Sequence, residues 1–186
     1  MLRRSGPTAD LECHVQPLST DRLGEPLHTY PAVTVSVSNL RPESRGTVHV
    51  GGPDLSVAPE IGPNYLSTAG DRIVATKSIR HARRLMEAGA IARYRPQEML
   101  PGAEYQSDED LIRRVGDIAT TIFHPVGTCK MGSDTMAVVD SQLRVHGLAK
   151  LRVVDASIMP TIVSGNTNSP VIMIAEKAAE SILSGQ

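Results

Sequence analysis

The sequence contains few aromatic residues and few cysteines. Its 186 residues include one phenylalanine, four tyrosines and no tryptophan, so a core must be built from Val, Ile, Leu, Met and Ala. Cys13 and Cys129 are its two cysteines, and neither belongs to a C-x-x-C pair. Two isolated cysteines are too few for a disulfide framework and give little support to a metal or dithiol redox motif.

An excess of charge of one sign is also missing, because 19 basic residues oppose 20 acidic ones. Such a balance gives no long-range field that would recruit nucleic acid or an anionic membrane. No window approaches the roughly 20 apolar residues of a membrane span, and the two arginines near the N-terminus precede no apolar run. We therefore expect a cytoplasmic chain that acts on a small molecule, with no nucleic acid and no membrane span.

Alternation of apolar and polar residues predicts strands in the first part of the chain. Residues 11–15 are strand-like, and the valines within 32–40 and 47–50 alternate with polar residues. We predict that 32–40 and 47–50 form an antiparallel pair across the turn at 41–46. Residues 59–65, which are rich in Gly and Pro, predict an irregular connection.

Two helices are predicted in the middle of the chain. The first runs from about residue 71 to residue 91, and arginines lie largely off its apolar stripe. These arginines indicate a solvated helix face or, alternatively, a contact to a cofactor phosphate. The second helix is capped by Ser107, carries acidic residues in its first turn and runs to Ile118. The apolar stripe of the first helix consists of Ala75, Ile79, Ala82 and Met86.

The C-terminal part predicts short strands followed by a helix. Residues 137–140 and 143–146 indicate two short strands, and 151–154 indicates a strand buried on both faces. Ser169 is the predicted cap of the last helix, with Pro170 in its first turn. The coarse fold class is α+β. The apolar stripe of the last helix consists of Val171, Ile174, Ala175, Ala178, Ile182 and Leu183.

Two segments contain the residues best suited to chemistry. Residues 124–132 read HPVGTCKMG, in which Pro125 disfavours a helical conformation at His124 and Gly127 permits a tight turn. The imidazole is thereby placed at the end of an extended run, where it is a candidate proton acceptor. Residues 155–168 form a loop rich in Gly and Asn before the last helix. This loop could return polar side chains and free N–H groups to the same point.

Each of these residues also has a structural interpretation. A histidine before proline is commonly a structural or surface residue, and Asn166 beside a glycine would ordinarily belong to a turn. Cys129 is better interpreted as a small buried hydrophobe than as a nucleophile. The other histidines show no ligand spacing, so we assign no metal. A hydrolase interpretation fails because the sequence has no Gly-x-Ser-x-Gly elbow.

Residues 124–131 and 154–160, with Gly-Asn-Thr-Asn at 165–168, closely resemble the C-terminal part of the glucose-methanol-choline (GMC) flavoprotein oxidoreductases. The choline dehydrogenase and alcohol dehydrogenase branch is the most similar. The segment NLRPESRG at 39–46 is also similar. The resemblance covers nearly the whole chain, but only the last third or so of a family member.

The resemblance implies an FAD-dependent oxidation of a primary alcohol or choline-like substrate, with hydride transfer to the flavin. His124 would be the catalytic base, since an imidazole titrates near neutral pH. Asn166 would orient the substrate hydroxyl, because an amide both donates and accepts hydrogen bonds. The positive end of the last helix would face the flavin pyrimidine edge. The cofactor-binding residues implied in the same way are Asp155, Ala156, Asn168, Ser169 and Pro170.

The family binds FAD through an N-terminal β-α-β unit with a Gly-x-Gly-x-x-Gly turn, and this sequence contains no such motif. We predict that residues 1–150 are part of the substrate-binding domain, an antiparallel sheet with flanking helices. Residues 151–186 would be a strand and helix that pack on an FAD-binding domain outside this sequence. We expect a fragment that is inactive alone; the alternatives are one subunit completed by a separate FAD-binding chain and a non-catalytic interaction module. The alcohol and the electron acceptor, whether oxygen, quinone or another carrier, stay open.

Overall fold

The computed structural model describes residues 9–185, which fall into two compact units. The first consists of the chain up to Ser44 together with Leu66–Thr120, and the second contains Arg45–Tyr65 and the chain from Thr121 onwards. The α+β class is confirmed, because helices accompany two separate two-stranded antiparallel sheets. Within residues 9–185, no helix is long and apolar enough to cross a membrane. The predicted division between residues 150 and 151 stays a prediction.

The sheet of the first unit pairs the first two strands of the chain. Strand β1 (Leu11–Gln16) runs antiparallel to β2 (Thr34–Asn39), with Leu11 opposite Asn39 and Gln16 opposite Thr34. The backbone N–H of Leu40 continues this ladder by donating to the carbonyl of Asp10 at 2.9 Å. Both predicted strands are confirmed, but the predicted hairpin across residues 41–46 is wrong.

A buried carboxylate explains why that hairpin does not form. The backbone N–H groups of Glu43 and Ser44 donate to Asp71, at 3.0 Å and 2.7 Å, and Asn39 Nδ2 donates to the same carboxylate at 3.0 Å. The N–H groups of Glu43 and Ser44 are therefore not available to a ladder across this turn. The chain after β2 is therefore fixed against the following helix.

The first predicted helix begins earlier than expected and is interrupted. Helix α1 spans Ala69–Met86, and a short helix α2 spans Gly89–Ala92. At the start, the side chain of Thr68 accepts the backbone N–H three positions on, a capping bond that the predicted start at residue 71 missed. At the break, Ala88 has an extended conformation, with φ −59° and ψ 139°, which cannot continue α1.

The buried face of α1 is also more polar than its predicted stripe, whose four residues are half-buried. The hydroxyl groups of Thr76 and Ser78 donate to backbone carbonyls three residues back, which satisfies them in the interior. The buried residues of α1 are Asp71, Val74, Thr76 and Ser78.

Helix α3 (Asp108–Ile118) is confirmed: Ser107 Oγ accepts the N–H of Asp110 at 3.1 Å.

The arginines of α1 do not all form a solvated face. The side chain of Arg83 is only 16% exposed, and its guanidinium donates to both carboxylate oxygens of Glu98 at 2.9 Å. It also donates to the carbonyl oxygens of Gly102 and Tyr105, each at 3.0 Å. The solvated-face interpretation is wrong for this residue, because Arg83 holds the loop before α3. Its donors are used within the unit, which gives the phosphate alternative no support.

The second unit contains the other sheet. Strand β3 (Thr47–His49) pairs antiparallel with β4 (Glu60–Gly62), so the predicted irregular connection at 59–65 is wrong in its first half. The backbones approach closely here, since a Cβ added at Gly46 would collide with the carbonyl oxygen of Gly62. A glycine before β3 is what permits this pairing.

The core of the second unit is apolar and joins loops to the last helix. The predicted strands at 137–140 and 143–146 are wrong, because these segments form isolated bridges rather than strands. Asp140 turns the chain between them by accepting the N–H groups of Gln142 and Arg144, at 2.8 Å and 2.9 Å. The buried core residues are Val139, Leu143, Ile158 and Ala178, and partly buried apolar residues pack against them.

The segment predicted as a strand buried on both faces has another conformation. Residues 151–154 contribute one isolated bridge, between Arg152 and Arg144, and Leu151 is 48% exposed. Val153 and Val154 pack against the core of the second unit from one side. A short run of mostly apolar residues does not by itself separate a loop that lines a core from a central strand, since both bury valines.

Helix α4 spans Asn168–Leu183. Pro170 lies in its first turn, as predicted, but the predicted cap at Ser169 is wrong because Thr167 occupies the capping position. Two of the six residues of the predicted stripe belong to the core, the buried Ala178 and the partly buried Ile174. The stripe is wrong at its C-terminal end, because Ile182 and Leu183 are exposed, as are Ile172 and Met173 outside it.

Candidate functional site

The backbone conformation before His124 fixes the position of its side chain. Phe123 adopts a left-handed conformation with φ 63°, which is uncommon for a bulky residue. Its N–H donates to Thr121 Oγ1 at 3.0 Å, a local bond that compensates this strain in part. Pro125 then disfavours the helical region for His124. The histidine is half-buried at the resulting corner.

Two backbone hydrogen bonds attach the histidine motif to the returning segment. Cys129 N–H donates to the carbonyl of Ser157 at 3.0 Å, and Met131 N–H donates to the carbonyl of Ile158 at 2.8 Å. Between them and the histidine, Gly127 has φ 90°, a conformation that favours glycine. The predicted return of the second segment to the first is therefore observed in the structure.

The carboxylate of Asp155 stabilises that returning segment. A 3₁₀ turn spans Ala156–Ile158, and Asp155 Oδ1 accepts both the N–H and the hydroxyl of Ser157, at 2.7 Å and 2.5 Å. Asp155 is exposed and Ala156 is half-buried. Oδ1 of the carboxylate thus caps the turn through its two bonds to Ser157.

A side-chain contact joins the two predicted halves of the site. Thr167 Oγ1 lies 2.8 Å from His124 Nδ1, within hydrogen-bond distance, and Thr167 is 6% exposed. Asn166 is the residue immediately before Thr167 and is exposed. The structure thus brings the loop that carries one predicted catalytic residue to the ring of the other. Sequence reasoning missed Thr167.

The start of α4 leaves backbone donors unbonded within the helix. Thr167 makes no side-chain capping bond, and the N–H of Val171 is the donor that reaches the carbonyl of Thr167, at 3.0 Å. The N–H groups of Asn168 and Ser169 therefore have no intrahelical partner, and both residues are exposed. Pro170 has no N–H. This helix end has the partial positive charge that favours a negatively charged group.

Lys130 and Cys129, two further polar residues of the motif, form hydrogen bonds to residues other than His124. Lys130 Nζ donates to both oxygens of Asp134, at 2.9 Å and 3.0 Å, and this contact holds the pKa of Asp134 below its ordinary value. Cys129 is half-buried and has no disulfide partner. Among residues 9–185 no group of His, Cys, Asp and Glu side chains could hold a metal ion. The candidate site therefore consists of His124, Thr167, Asn166 and the first turn of α4.

Comparison with known proteins finds the same segments in longer enzymes. Residues 42–175 match the family model described as GMC oxidoreductase. The chain is 40% identical over 183 residues to an alcohol dehydrogenase [acceptor] of Pseudomonas putida, covering 97% of this chain and 33% of the relative. It is 43% identical over 173 residues to an oxygen-dependent choline dehydrogenase of Citrobacter koseri, covering 93% and 31%.

Solved structures give the same result. Pyridoxine 4-oxidase from Mesorbium loti superimposes with a TM-score of 0.78 at 34% identity, covering 88% of this chain and 32% of the oxidase. A formate oxidase from Aspergillus oryzae, studied for modification of its FAD, has a TM-score of 0.80 at 31% identity, covering 89% and 30%. The chain spans about a third of the length of the relatives that it matches.

Proposed function

The chain belongs to the GMC oxidoreductase family, and from this premise we propose that it supplies the catalytic base of an FAD-dependent oxidoreductase that acts on CH–OH groups. The observation that carries the proposal is the position of His124. Its ring is held by Thr167, the residue between Asn166 and the uncapped start of α4. The hydroxyl-orienting amide and the N–H donors of α4 thus come from neighbouring chain positions, and Thr167 brings the proton acceptor His124 to them.

Oxidation of an alcohol requires removal of the hydroxyl proton and of a hydride. FAD, when bound, supplies the hydride acceptor. Nδ1 of His124 faces Thr167, so the other ring nitrogen, Nε2, is the atom that would take the hydroxyl proton. A positioned base of this kind contributes about 10²- to 10⁴-fold to the rate. Asn166 would hold the hydroxyl by donating from its NH₂ group, which does not compete for the proton.

The described residues fit one part of the cofactor. The N–H groups of the exposed residues Asn168 and Ser169, with Pro170 completing the turn, would offer donors and positive potential to the flavin pyrimidine edge. The exposed side chains of Ile172 and Met173 lie on the same helix and offer apolar surface. Asp155 and Ala156 would contact FAD through their backbone. The sequence has no Gly-x-Gly-x-x-Gly turn for the pyrophosphate, so these contacts would hold the ring rather than the whole dinucleotide.

The substrate class is proposed from the relatives. The names of the matching enzymes, alcohol dehydrogenase and choline dehydrogenase, support a primary alcohol or a choline-like substrate. The electron acceptor stays open. We further propose that a separate FAD-binding polypeptide, or an FAD-binding part of the same protein, completes the site. A cytoplasmic location and the alternative of a non-catalytic interaction module both stay predictions.

The test combines a flavin-binding assay with complementation. Purified chain is incubated with FAD, desalted and examined by visible absorbance, alone and together with the N-terminal two thirds of the Pseudomonas putida relative. We expect little retained flavin with the chain alone, and alcohol-dependent dye reduction in the complemented sample. His124→Ala should abolish that reduction, whereas the exposed His49→Ala should not. Full activity of His124→Ala would contradict the proposal.

A further inference from the structure

We propose that Thr167 is a positioning residue that selects the tautomer of His124. In this arrangement Thr167 Oγ1 accepts a hydrogen bond from Nδ1–H, which leaves Nε2 without a proton and able to accept one. The inference rests on the proposed function of His124 as the base. It adds a residue that acts on the reaction through the histidine ring rather than by touching the substrate.

The hydroxyl of Thr167 is available because of the residue three positions later. In most helices that begin with Thr, the side-chain oxygen accepts the backbone N–H of the second or third helical residue. The third helical residue of α4 is Pro170, which has no N–H, and Thr167 makes no capping bond. Of the two usual competitors for Oγ1, the N–H at position 170 is therefore absent, and the N–H of Ser169 makes no bond to it. Oγ1 lies instead 2.8 Å from His124 Nδ1.

The position of the hydroxyl is well defined. Thr167 is 6% exposed, so surrounding atoms restrict its side chain, and a β-branched residue has few χ1 rotamers. The histidine is fixed at its own end by the turn at Phe123 and by the bonds of Cys129 and Met131 to the returning segment. An ordered donor and acceptor at this distance give the ring one preferred orientation.

The direction of the hydrogen bond follows from what a base must do. A neutral imidazole has one N–H and one bare nitrogen, whereas the protonated ring has two N–H groups. If Nδ1–H donates to Thr167, the same bond exists before and after Nε2 takes the proton. If the hydroxyl donated to Nδ1, Nε2 would carry the hydrogen, and the ring could take a proton only by breaking that bond. Donation by Nδ1–H therefore suits a base that accepts at Nε2.

The first test reads the tautomer directly, without flavin or substrate. Long-range ¹H–¹⁵N NMR of the ¹⁵N-labelled chain, above the pH at which the ring is charged, distinguishes a protonated from a bare ring nitrogen. We expect a protonated Nδ1 and a bare Nε2 at His124. Thr167→Val removes the hydroxyl and should move the population towards the Nε2–H form, and Thr167→Ser should retain the original tautomer. His146, whose Nε2 lies 3.1 Å from the carbonyl of Gly132, is an internal reference for folding.

The wild-type spectrum alone can overturn the proposal, so it does not depend on the variants folding. A bare Nδ1 at His124, or an unchanged tautomer in a Thr167→Val chain with native His146 signals, would each refute it. In the complemented enzyme we expect Thr167→Val to lower kcat about 10-fold or more, with a small change in KM, and Thr167→Ser to restore it. If the tautomer is as expected but His124→Ala stays active, the proposed function fails and the Thr167 contact stands. If His124→Ala is inactive but the tautomer is not as expected, only this inference fails.

Discussion

Substitution of Asp71 by asparagine tests how the first unit is held together. The carboxylate is 5% exposed and accepts hydrogen bonds from Asn39 Nδ2, from the N–H groups of Glu43 and Ser44, and from Ser44 Oγ. The amide has nearly the same shape but replaces one acceptor oxygen with an NH₂ donor. Whichever way the amide turns, at least one backbone N–H then faces a donor instead of an acceptor.

The expected loss of stability can be estimated from those bonds. A hydrogen bond to a charged group contributes about 1.5–3 kcal/mol, and an unpaired buried donor costs about 1–3 kcal/mol. Loss of one or two of these bonds gives a decrease of about 3 kcal/mol in the free energy of unfolding. For a chain of this length, 1 kcal/mol corresponds to about 2–4 °C, so the melting temperature should fall by about 6–12 °C.

The same residue predicts a pH dependence. Burial alone would raise the pKa of Asp71, but the hydrogen bonds from Ser44 and from the backbone of Glu43 outweigh burial and hold the pKa below its ordinary value. A carboxylate with a lowered pKa in the folded state stabilises the fold fully above the ordinary pKa of aspartate. This contribution is lost as the pH falls below about 4. The asparagine variant does not titrate here and should lose less stability between pH 7 and pH 3.

Circular dichroism melts across that pH range measure both effects. The matched control is Asp117→Asn, whose carboxylate is 63% exposed and lies 3.8 Å from Arg114, a surface pair worth about 0–1 kcal/mol. A melting temperature for Asp71→Asn within 2 °C of the wild type at pH 7 would refute the magnitude (about 1 kcal/mol or less by the same scale). Parallel pH profiles for the wild type and the variant would refute the account of the pKa.

Four further substitutions test the second unit and the helices. Pro170→Ala adds an N–H that competes for Thr167 Oγ1, so the His124 tautomer population measured by ¹⁵N NMR should shift; an unchanged population would show that proline does not free the hydroxyl. Gly46→Ala should destabilise the β3–β4 pairing by about 1–3 kcal/mol in denaturant unfolding, because its Cβ meets backbone oxygen. In α3, a Cβ added at Gly116 meets no atom within 4 Å, so Gly116→Ala should instead raise the free energy of unfolding by about 0.5–1 kcal/mol. A stabilising Gly46→Ala or a destabilising Gly116→Ala would contradict the packing described here. Asp155→Ala removes the cap of the 3₁₀ turn and should lower the melting temperature by about 2–4 °C. Asp155→Ser can still cap the turn and should keep most of the wild-type stability.

Elements with a local signal were predictable from the sequence. Ser107 with the acidic turn after it identified α3, and alternating valines identified β2. The partner of β2 could not be predicted from local pattern. The turn after β2 is bonded to the carboxylate of Asp71, which lies in α1 and is 27 positions beyond Ser44. The predicted stripe of α1 failed for a related reason: Thr76 and Ser78 are polar by composition but satisfy their hydroxyls within the helix.

The candidate site shows the same division between local and distant signals. His124 was identifiable because Pro125 and the glycines after it form a compact motif, and the return of residues 155–168 followed from their loop-like composition. Thr167 was missed because its contact joins positions 43 residues apart, and no local pattern records it. The available signal was Pro170, which indicated a helix start but also removes one of the two N–H groups that commonly bond to a threonine at the cap.

The contacts that set the acceptor atom of His124 all lie within the second unit. Two backbone bonds attach the motif to Ser157 and Ile158, and one side-chain bond attaches the ring to Thr167. A base held in this way is oriented before any cofactor or substrate arrives, and such preorganisation avoids the cost of reorienting it during the reaction. The chain alone and the complemented enzyme should therefore show the same His124 tautomer, although only the second should oxidise an alcohol. A tautomer that changes on complementation would mean that the FAD-binding part, and not Thr167, sets the acceptor atom.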